Sequence, residues 1–183
     1  MKSKRVIILV QVICLMLFIN CSQAQVTVLP LSDFQQIKLN GTLSLDAIVD
    51  SQTMEQTLSQ LSTFVSKNCT TDPLVGSSCN YSANGFELGC YSVDFSWMDI
   101  TGSNFYLRYQ NQDITIGEQM SEMQSLFPTA YSRADTHEDI GTGITFKRIL
   151  LTIGVTASTT TLSFLYDNQT NELKIIRLHD EVG

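Results

Sequence analysis

The chain has 183 residues, 11 of them basic and 18 acidic, and a formal charge of −7. A chain of this length forms one ordinary domain or two small ones, and it can bury a hydrophobic core without support from metals or several disulfides. The acidic balance and the lack of a basic cluster argue against nucleic acid or an anionic membrane surface as a partner.

The first 24 residues have the organisation of a secretory signal peptide. Three basic residues within positions 2–5 precede the apolar run 6–19, and small residues precede a cut between Ala24 and Gln25. The apolar run of 14 residues is shorter than the roughly 20 residues that a membrane-spanning helix needs. We therefore expect an exported protein, periplasmic or secreted.

Lipid attachment at Cys21 is the alternative for the N-terminus. The residues up to Cys21 resemble a bacterial lipoprotein box, but Asn20 stands where that box has a small residue. We favour the cut after Ala24, and we expect a membrane contact only if Cys21 is lipidated. The mature chain 25–183 then keeps 8 basic and 18 acidic residues and has a formal charge of −10.

Three cysteines remain in the mature chain: Cys69, Cys79 and Cys90. In an oxidising compartment an odd number leaves at least one thiol unpaired. The spacing allows Cys69–Cys79 and Cys79–Cys90 alike, and we expect one bridge, with Cys69 and Cys79 as candidates, and one buried thiol. No Cys-x-x-Cys motif is present, which argues against a redox motif or a thiolate zinc site.

The first half of the mature chain mixes strand and helix patterns. An extended arm reaches Leu31, and Asn40-Gly41 then separates two alternating apolar pairs, which predicts a hairpin. Apolar residues recur with helical spacing over 53–65, the clearest helix. The polar stretch 67–85 is predicted to be the longest loop and the first choice for a partner-facing element.

The central part is predicted to contain two strands and a short helix. The strands cover 86–97, with a bulge or turn near Tyr91-Ser92, and 105–109. The unit 113–128 follows: a strand end, a glycine, and a brief amphipathic helix that ends at Pro128. We interpret this unit as a helix laid against an antiparallel sheet.

The last part is predicted to be a polar loop and a closing set of strands. The loop covers 133–143, strands cover 149–155 and 160–166, and a turn at 167–171 leads into the strand 173–178. The order of elements predicts an α+β fold, in which an antiparallel β-sheet meander has two short helices packed on one face. We expect a single domain over 25–183 with an internal pseudo-repeat of roughly 33–110 and 111–183.

The motif of the central helix carries a resemblance. Its pattern is Ile114-Thr115-Ile116-Gly117, then Met120, Met123 and Leu126-Phe127-Pro128, followed by strands at 164–166 and 173–176. This pattern resembles a broad group of exported bacterial proteins of unknown function, and it is similar to small outer-membrane assembly lipoproteins and β-lactamase-inhibitor-like domains. The resemblance covers about half of the mature chain. It implies a binding or scaffolding role on a concave sheet face, and it implies no catalytic residue.

Catalytic motifs are absent from the sequence. It contains no Gly-x-Ser-x-Gly motif, no phosphate-binding glycine loop and only two histidines. One of them, His179, is interpreted as part of a solvated tail. Asp135, His137 and Asp139 place potential metal ligands at alternate positions, but the calcium-loop pattern fails because Phe146 stands where a glutamate is required. We interpret this stretch as a charged surface turn and expect no metal or other cofactor.

The aromatic residues Trp97 and Tyr106 are the candidates for partner binding, because amphipathic rings dominate interface hot spots. Core packing is the alternative for such rings. We therefore expect a non-catalytic exported binding protein whose partner is another envelope or secreted protein. The alternatives are a small exported metal-dependent enzyme and a secreted inhibitor or immunity-type protein.

Overall fold

The computed structural model describes residues 26–61, 66–72, 76–92, 94–140, 142–155 and 159–180. The predicted signal peptide 1–24, with Cys21, lies outside the described residues, and export stays a prediction. Within the described ranges no helix has both the length and the apolar character that crossing a membrane requires.

Most of the described chain forms two β-sheets with a few short helices, which confirms the α+β class. The strands are β1 (Val28–Leu29), β2 (Lys38–Leu39), β3 (Leu43–Ser44), β4 (Ser66–Asp72), β5 (Gly76–Ala83), β6 (Phe86–Tyr91), β7 (Asp94–Ile100), β8 (Tyr106–Tyr109), β9 (Gln112–Thr115), β10 (Asp135–Asp139), β11 (Ile144–Ile153), β12 (Thr160–Asp167) and β13 (Leu173–Asp180). The helices are α1 (Leu31–Phe34), α2 (Leu45–Val49), α3 (Met54–Ser59), α4 (Met123–Leu126) and α5 (Pro128–Ser132), and a 3-10 helix covers Met120–Glu122.

The large sheet has the strand order β11-β12-β13-β7-β6-β5-β4, and both β1 and β10 pair with the other edge of β11. All of these pairs are antiparallel except β1 with β11. The meander β4 to β7 therefore meets the meander β10 to β13 through their last strands, where Leu178 lies opposite Met98. The small sheet has the order β3-β2-β8-β9.

The hydrophobic core lies against one face of the large sheet. Leu162, Phe164 and Tyr166 alternate along β12 and are buried in a cluster that includes residues of the small sheet and of the helices. Phe127, between α4 and α5, stacks on Tyr109 of the small sheet and on Phe164 of the large sheet. These rings join the two sheets, and the opposite face of the large sheet is left for other contacts.

Three predicted turns are confirmed. Asn40 and Gly41 connect β2 and β3 with φ values of 51° and 70°, the left-handed conformation that this dipeptide tolerates. The break near Tyr91-Ser92 is the turn between β6 and β7, with a φ of 58° at Ser92. The turn at 167–171 joins β12 to β13.

Two predicted loops are strands instead. Within the stretch 67–85, the described residues form the paired strands β4 and β5, and the stretch 133–143 contains β10. Their side chains are largely polar and exposed, so the apolar alternation by which a strand is recognised is missing. Backbone pairing and cross-strand hydroxyl contacts, such as Thr70 to Ser78 at 3.0 Å, hold the first hairpin together.

The helices are shorter and more numerous than predicted. The predicted helix 53–65 is α3 followed by a turn at Leu61, and residues 62–65 lie outside the described ranges. Helices α1 and α2 were not predicted, because each has only four or five residues. Pro128 does not end the helical unit. It occupies the first turn of α5, where its missing N–H group costs no hydrogen bond.

Candidate functional site: a pocket on the outer face of the large sheet

The face of the large sheet opposite the core, here called the outer face, carries a pocket of about 340 Å³. This volume is near the lower end of the range for small-molecule sites, about 300–1,000 Å³. Strand alternation explains its walls, because Thr161, Ser163 and Leu165 alternate along β12 with core residues and point to the outer face. The pocket is lined by His137 and Asp139 of β10, Ile140, Arg148 and Leu150 of β11, Thr161, Ser163 and Leu165 of β12, and Arg177 and His179 of β13.

Strand register arranges these side chains in rows across the outer face. His179 lies opposite Trp97 on one side and Thr161 on the other. Directly opposed residues point to the same face, with Cβ atoms about 4.5–5.5 Å apart. Since His137 also lines the pocket, both histidines of the chain belong to one site.

Arg177 is the ionic centre of the pocket. Its Nε and Nη2 atoms donate to the carboxylate of Asp99 at 2.9 and 2.7 Å, and Nη2 lies 3.2 Å from Oδ2 of Asp139. The hydrogen bonds to Asp99 raise the pKa of the Arg177 guanidinium. A bidentate charge-assisted pair fixes the guanidinium in one orientation, so this part of the pocket is ordered before anything binds.

The β10–β11 hairpin forms one wall of the pocket. Asp139 lies opposite Ile144 near the hairpin turn, yet it contacts Arg177 on β13, two strands beyond β11. Such a contact requires the end of the hairpin to bend over the outer face. Asp139 is buried in this position, with 7% of its surface exposed.

Arg148 fixes the other end of β10. It donates from Nε and Nη2 to Asp135 at 2.9 and 2.6 Å, and its Nη1 lies 3.2 Å from Nδ1 of His137. Because a guanidinium only donates, His137 accepts at Nδ1 and carries its proton on Nε2. Burial, with the charges of Arg148 and Arg177, lowers the pKa of His137. The imidazole is therefore predominantly neutral near pH 7.

The three alternate residues singled out from the sequence lie on β10 rather than on a loop. Asp135 pairs with Arg148, and Asp139 pairs with Arg177. Over the described ranges no group of three or more His, Cys, Asp or Glu residues is placed to hold a metal ion.

The two aromatic candidates are placed in different sheets. Trp97, on β7, lies over Gly89 of β6 on the outer face, beside the pocket. Tyr106 belongs to β8 of the small sheet, where the guanidinium of Arg108 lies 5.6 Å from its ring centroid. The structure therefore brings Trp97, and not Tyr106, to the candidate site.

Sequence reasoning missed His179, Arg148 and Arg177. The sequence interpretation places His179 in a solvated tail, but the residue lies inside β13. A signal was present, because Arg177 and His179 alternate with the buried Ile176 and Leu178. That alternation indicates a strand with one polar face, and the strand ends at Asp180.

Comparison of this chain with protein-family models, curated protein sequences and solved structures finds no significant match. The function of the site is therefore argued from its own residues. Two guanidiniums and the three carboxylates of Asp99, Asp135 and Asp139 leave one net negative charge around the pocket. The neutral His137 and the hydroxyls of Thr161 and Ser163 add hydrogen-bonding groups. The pocket combines these polar groups with the apolar side chains of Ile140, Leu150 and Leu165, and its small net charge does not favour a strongly charged anion.

Replacing Gly89 with alanine is expected to displace the indole of Trp97. A Cβ atom at Gly89 would lie 2.3 Å from Nε1 and 2.6 Å from Cε2 of that ring, so the ring must move. Trp97 is the only tryptophan of the chain, and its fluorescence reports on the outer face alone. We expect a shifted emission maximum with unchanged far-UV circular dichroism. Glu87→Ala, an exposed change on the same strand, is the control, and an unchanged emission in Gly89→Ala would contradict the placement.

Stability is expected to depend on pH through His137. The pKa of His137 is lower in the folded protein than in the unfolded chain, so the unfolded chain binds more protons as the pH falls. The free energy of unfolding should therefore decrease as the pH falls from about 7 to about 5. His137→Asn keeps an acceptor for Arg148 but does not titrate, so it should show a shallower decrease in denaturant unfolding. Equal pH slopes for the two proteins would contradict this role.

Proposed function

We propose that this protein is a non-catalytic exported binding protein whose partner contacts the outer face of the large sheet. The observation that carries the proposal is the pocket on that face. Both histidines and two fixed guanidiniums line this pocket, and Trp97 lies beside it. Convergent polar groups beside an aromatic anchor are typical of binding surfaces. Export to the periplasm or the exterior is part of the proposal and rests on residues 1–24.

The strand order supports an internal repeat as the basis of this face. In each predicted half, 33–110 and 111–183, short helices precede a four-stranded meander, and the meanders join at β7 and β13. Helical residues such as Ile48 and Met123 belong to the core cluster. In this proposal the helices shield one face of a continuous sheet, and the other face serves the partner.

The β4–β5 hairpin extends the proposed surface. Every residue of β4 is exposed. Asn68 of β4 lies opposite Asn80 of β5, and Asn80 in turn lies opposite Gly89 of β6. Gly89 is the residue opposite Trp97. In this proposal the stretch 67–85 faces the partner as predicted, but it does so as an exposed hairpin rather than as a loop.

Two apolar groups are available as anchors at the pocket. Ile140, at the turn after β10, lines the pocket and is 97% exposed, and Trp97 lies beside the pocket, opposite His179. Interfaces gain most of their affinity from a few such anchors surrounded by polar contacts. Because the arginines are already held by carboxylates, little side-chain entropy is lost on binding. We propose another envelope or secreted protein as the partner.

Quantitative affinity capture with variants tests the proposal. The mature chain is immobilised, and envelope and culture-fluid proteins of the source cells are compared on wild type, on Trp97→Ala/His179→Ala, and on Tyr106→Ala in the small sheet. We expect a protein retained by wild type and by Tyr106→Ala, with at least about tenfold less on the double variant, which corresponds to a loss of ~1.4 kcal/mol. Equal capture by all three would contradict the proposal.

A further inference from the structure

The three cysteines of the mature chain form one row across three neighbouring strands. Cys69 of β4 lies opposite Cys79 of β5, and Cys79 lies opposite Cys90 of β6. A disulfide joins Cys69 to Cys79, with Cα atoms 4.1 Å apart, and Cys90 is a buried thiol. Cys79 is therefore the shared neighbour of both other sulfurs.

The register also places Cys90 within reach of the bridge. Opposed residues of antiparallel strands have Cβ atoms about 4.5–5.5 Å apart, and a disulfide needs about 3.5–4.5 Å. The Sγ–H of Cys90 donates to the carbonyl oxygen of Cys79 at 3.3 Å, so the thiol lies against the backbone of its neighbour. A bridge between Cys79 and Cys90 therefore needs only a small closing of two strands that are already paired.

We propose that Cys69, Cys79 and Cys90 form a thiol–disulfide relay that makes Cys69 a modifiable surface thiol. Cys90 loses its proton to solvent, and its thiolate attacks Sγ of Cys79. The Cys79–Cys90 bond forms while the Cys69–Cys79 bond breaks, and Cys69 leaves as a thiolate that takes a proton from water. One disulfide and one thiol are present before and after, so the step consumes no oxidant or reductant.

The relay changes which sulfur is accessible. Cys90 is 5% exposed, whereas Cys69 belongs to a strand whose residues are all exposed. A thiol at Cys69 can attack an external disulfide, forming a mixed disulfide and releasing the other half as a thiol. The chemical class of its reaction partner is thus a disulfide, either a small molecule or an accessible protein bridge. This site is separate from the pocket on the outer face and does not depend on the proposed function.

The rate of the relay is expected to rise with pH. Burial raises the pKa of the Cys90 thiol, which leaves little thiolate near neutral pH, and the nearby charges of Lys67 and Glu55 act in opposite directions. The thiolate fraction increases about tenfold for each pH unit below the pKa. The rate at which the Cys69–Cys79 bridge is replaced by the Cys79–Cys90 bridge should rise by a similar factor.

Alkylation of the oxidised mature chain tests the relay. The folded protein is incubated with iodoacetamide at about pH 8.5, where thiolates form, then digested without reduction and mapped by mass spectrometry. We expect alkylated Cys69 together with a Cys79–Cys90 disulfide. Alkylated Cys90 with an intact Cys69–Cys79 bridge would overturn the relay. No alkylation, over a time in which the urea-unfolded chain reacts completely, would overturn it as well.

Two variants isolate the exchange step. Cys90→Ala removes the attacking thiol, so Cys69 should stay unmodified under the same conditions, and its modification there would contradict the relay. Cys69→Ala keeps Cys79 and Cys90, which should be recovered as a disulfide after oxidative expression. Recovery of two free thiols from folded Cys69→Ala would show that these cysteines cannot bridge and would overturn the proposal.

Discussion

Replacing Phe164 with alanine is expected to lower the free energy of unfolding by about 3–5 kcal/mol. Phe164 is fully buried on the core face of β12, and its ring lies 5.8 Å from that of Phe127, which also stacks on Tyr109 of the small sheet. Truncation leaves a cavity where the two sheets meet, and neighbouring rings cannot fill it without losing their own contacts. Urea unfolding followed by circular dichroism measures the loss.

The matched control is Tyr91→Ala at a ring that is 47% exposed, where the expected change stays within about 0.5 kcal/mol. If Phe164→Ala does not fold, Phe164→Leu keeps most of the volume and should cost about 1–2 kcal/mol. A loss below about 1 kcal/mol for the alanine variant would mean that the sheets do not share this core.

Replacing Arg177 with alanine is expected to lower the free energy of unfolding by about 2–4 kcal/mol. The change removes the guanidinium that pairs with both Asp99 and Asp139, whose side chains are only 18% and 10% exposed. Removing one partner of a buried pair costs more than the pair contributes, because the remaining charge is poorly solvated. The end of the β10–β11 hairpin should also exchange amide hydrogens faster.

The control for charge removal is Arg108→Ala. Arg108 also pairs with a carboxylate through two hydrogen bonds, to Asp113, but its side chain is 43% exposed. An exposed pair of this kind contributes little to stability, because water screens the two charges. The triple variant Arg177→Ala/Asp99→Asn/Asp139→Asn also removes the two carboxylate charges that Arg177 pairs with, and it should recover part of the loss. Equal effects of Arg177→Ala and Arg108→Ala would contradict the central position of Arg177.

The sequence predicts the parts of the fold that carry strong local signals. The Asn40-Gly41 hairpin follows from a dipeptide that tolerates positive φ, and the turn near Tyr91-Ser92 follows from a slip in the apolar alternation. The final pair β12–β13 follows from β-branched and apolar strand patterns on either side of a polar turn. The β4–β5 hairpin and β10 could not be predicted in this way, because both faces of these strands carry mainly polar side chains. Such strands form through pairing with a neighbour, and local propensity does not contain that information.

The candidate site was predictable only in part. His137 and the acidic residues beside it were singled out by their spacing, but the partners that decide their role, Arg148 and Arg177, come from β11 and β13. Asp99 joins them because β7 of the first meander pairs with β13 of the second. This pairing links residues 78 positions apart, and nothing in either strand specifies it. Sites built across strands from distant segments depend on topology, which sequence patterns alone leave open.

Site-specific photo-cross-linking tests the outer face most directly. A photoreactive amino acid replaces Thr161, which lines the pocket, or Ser125, which is exposed on α4, and the two proteins are irradiated in the same extract. We predict a discrete cross-linked partner from position 161, lost when Trp97→Ala/His179→Ala is added, and no such product from position 125. A product from position 125 alone, or equal products from both positions, would contradict the outer face as the binding surface.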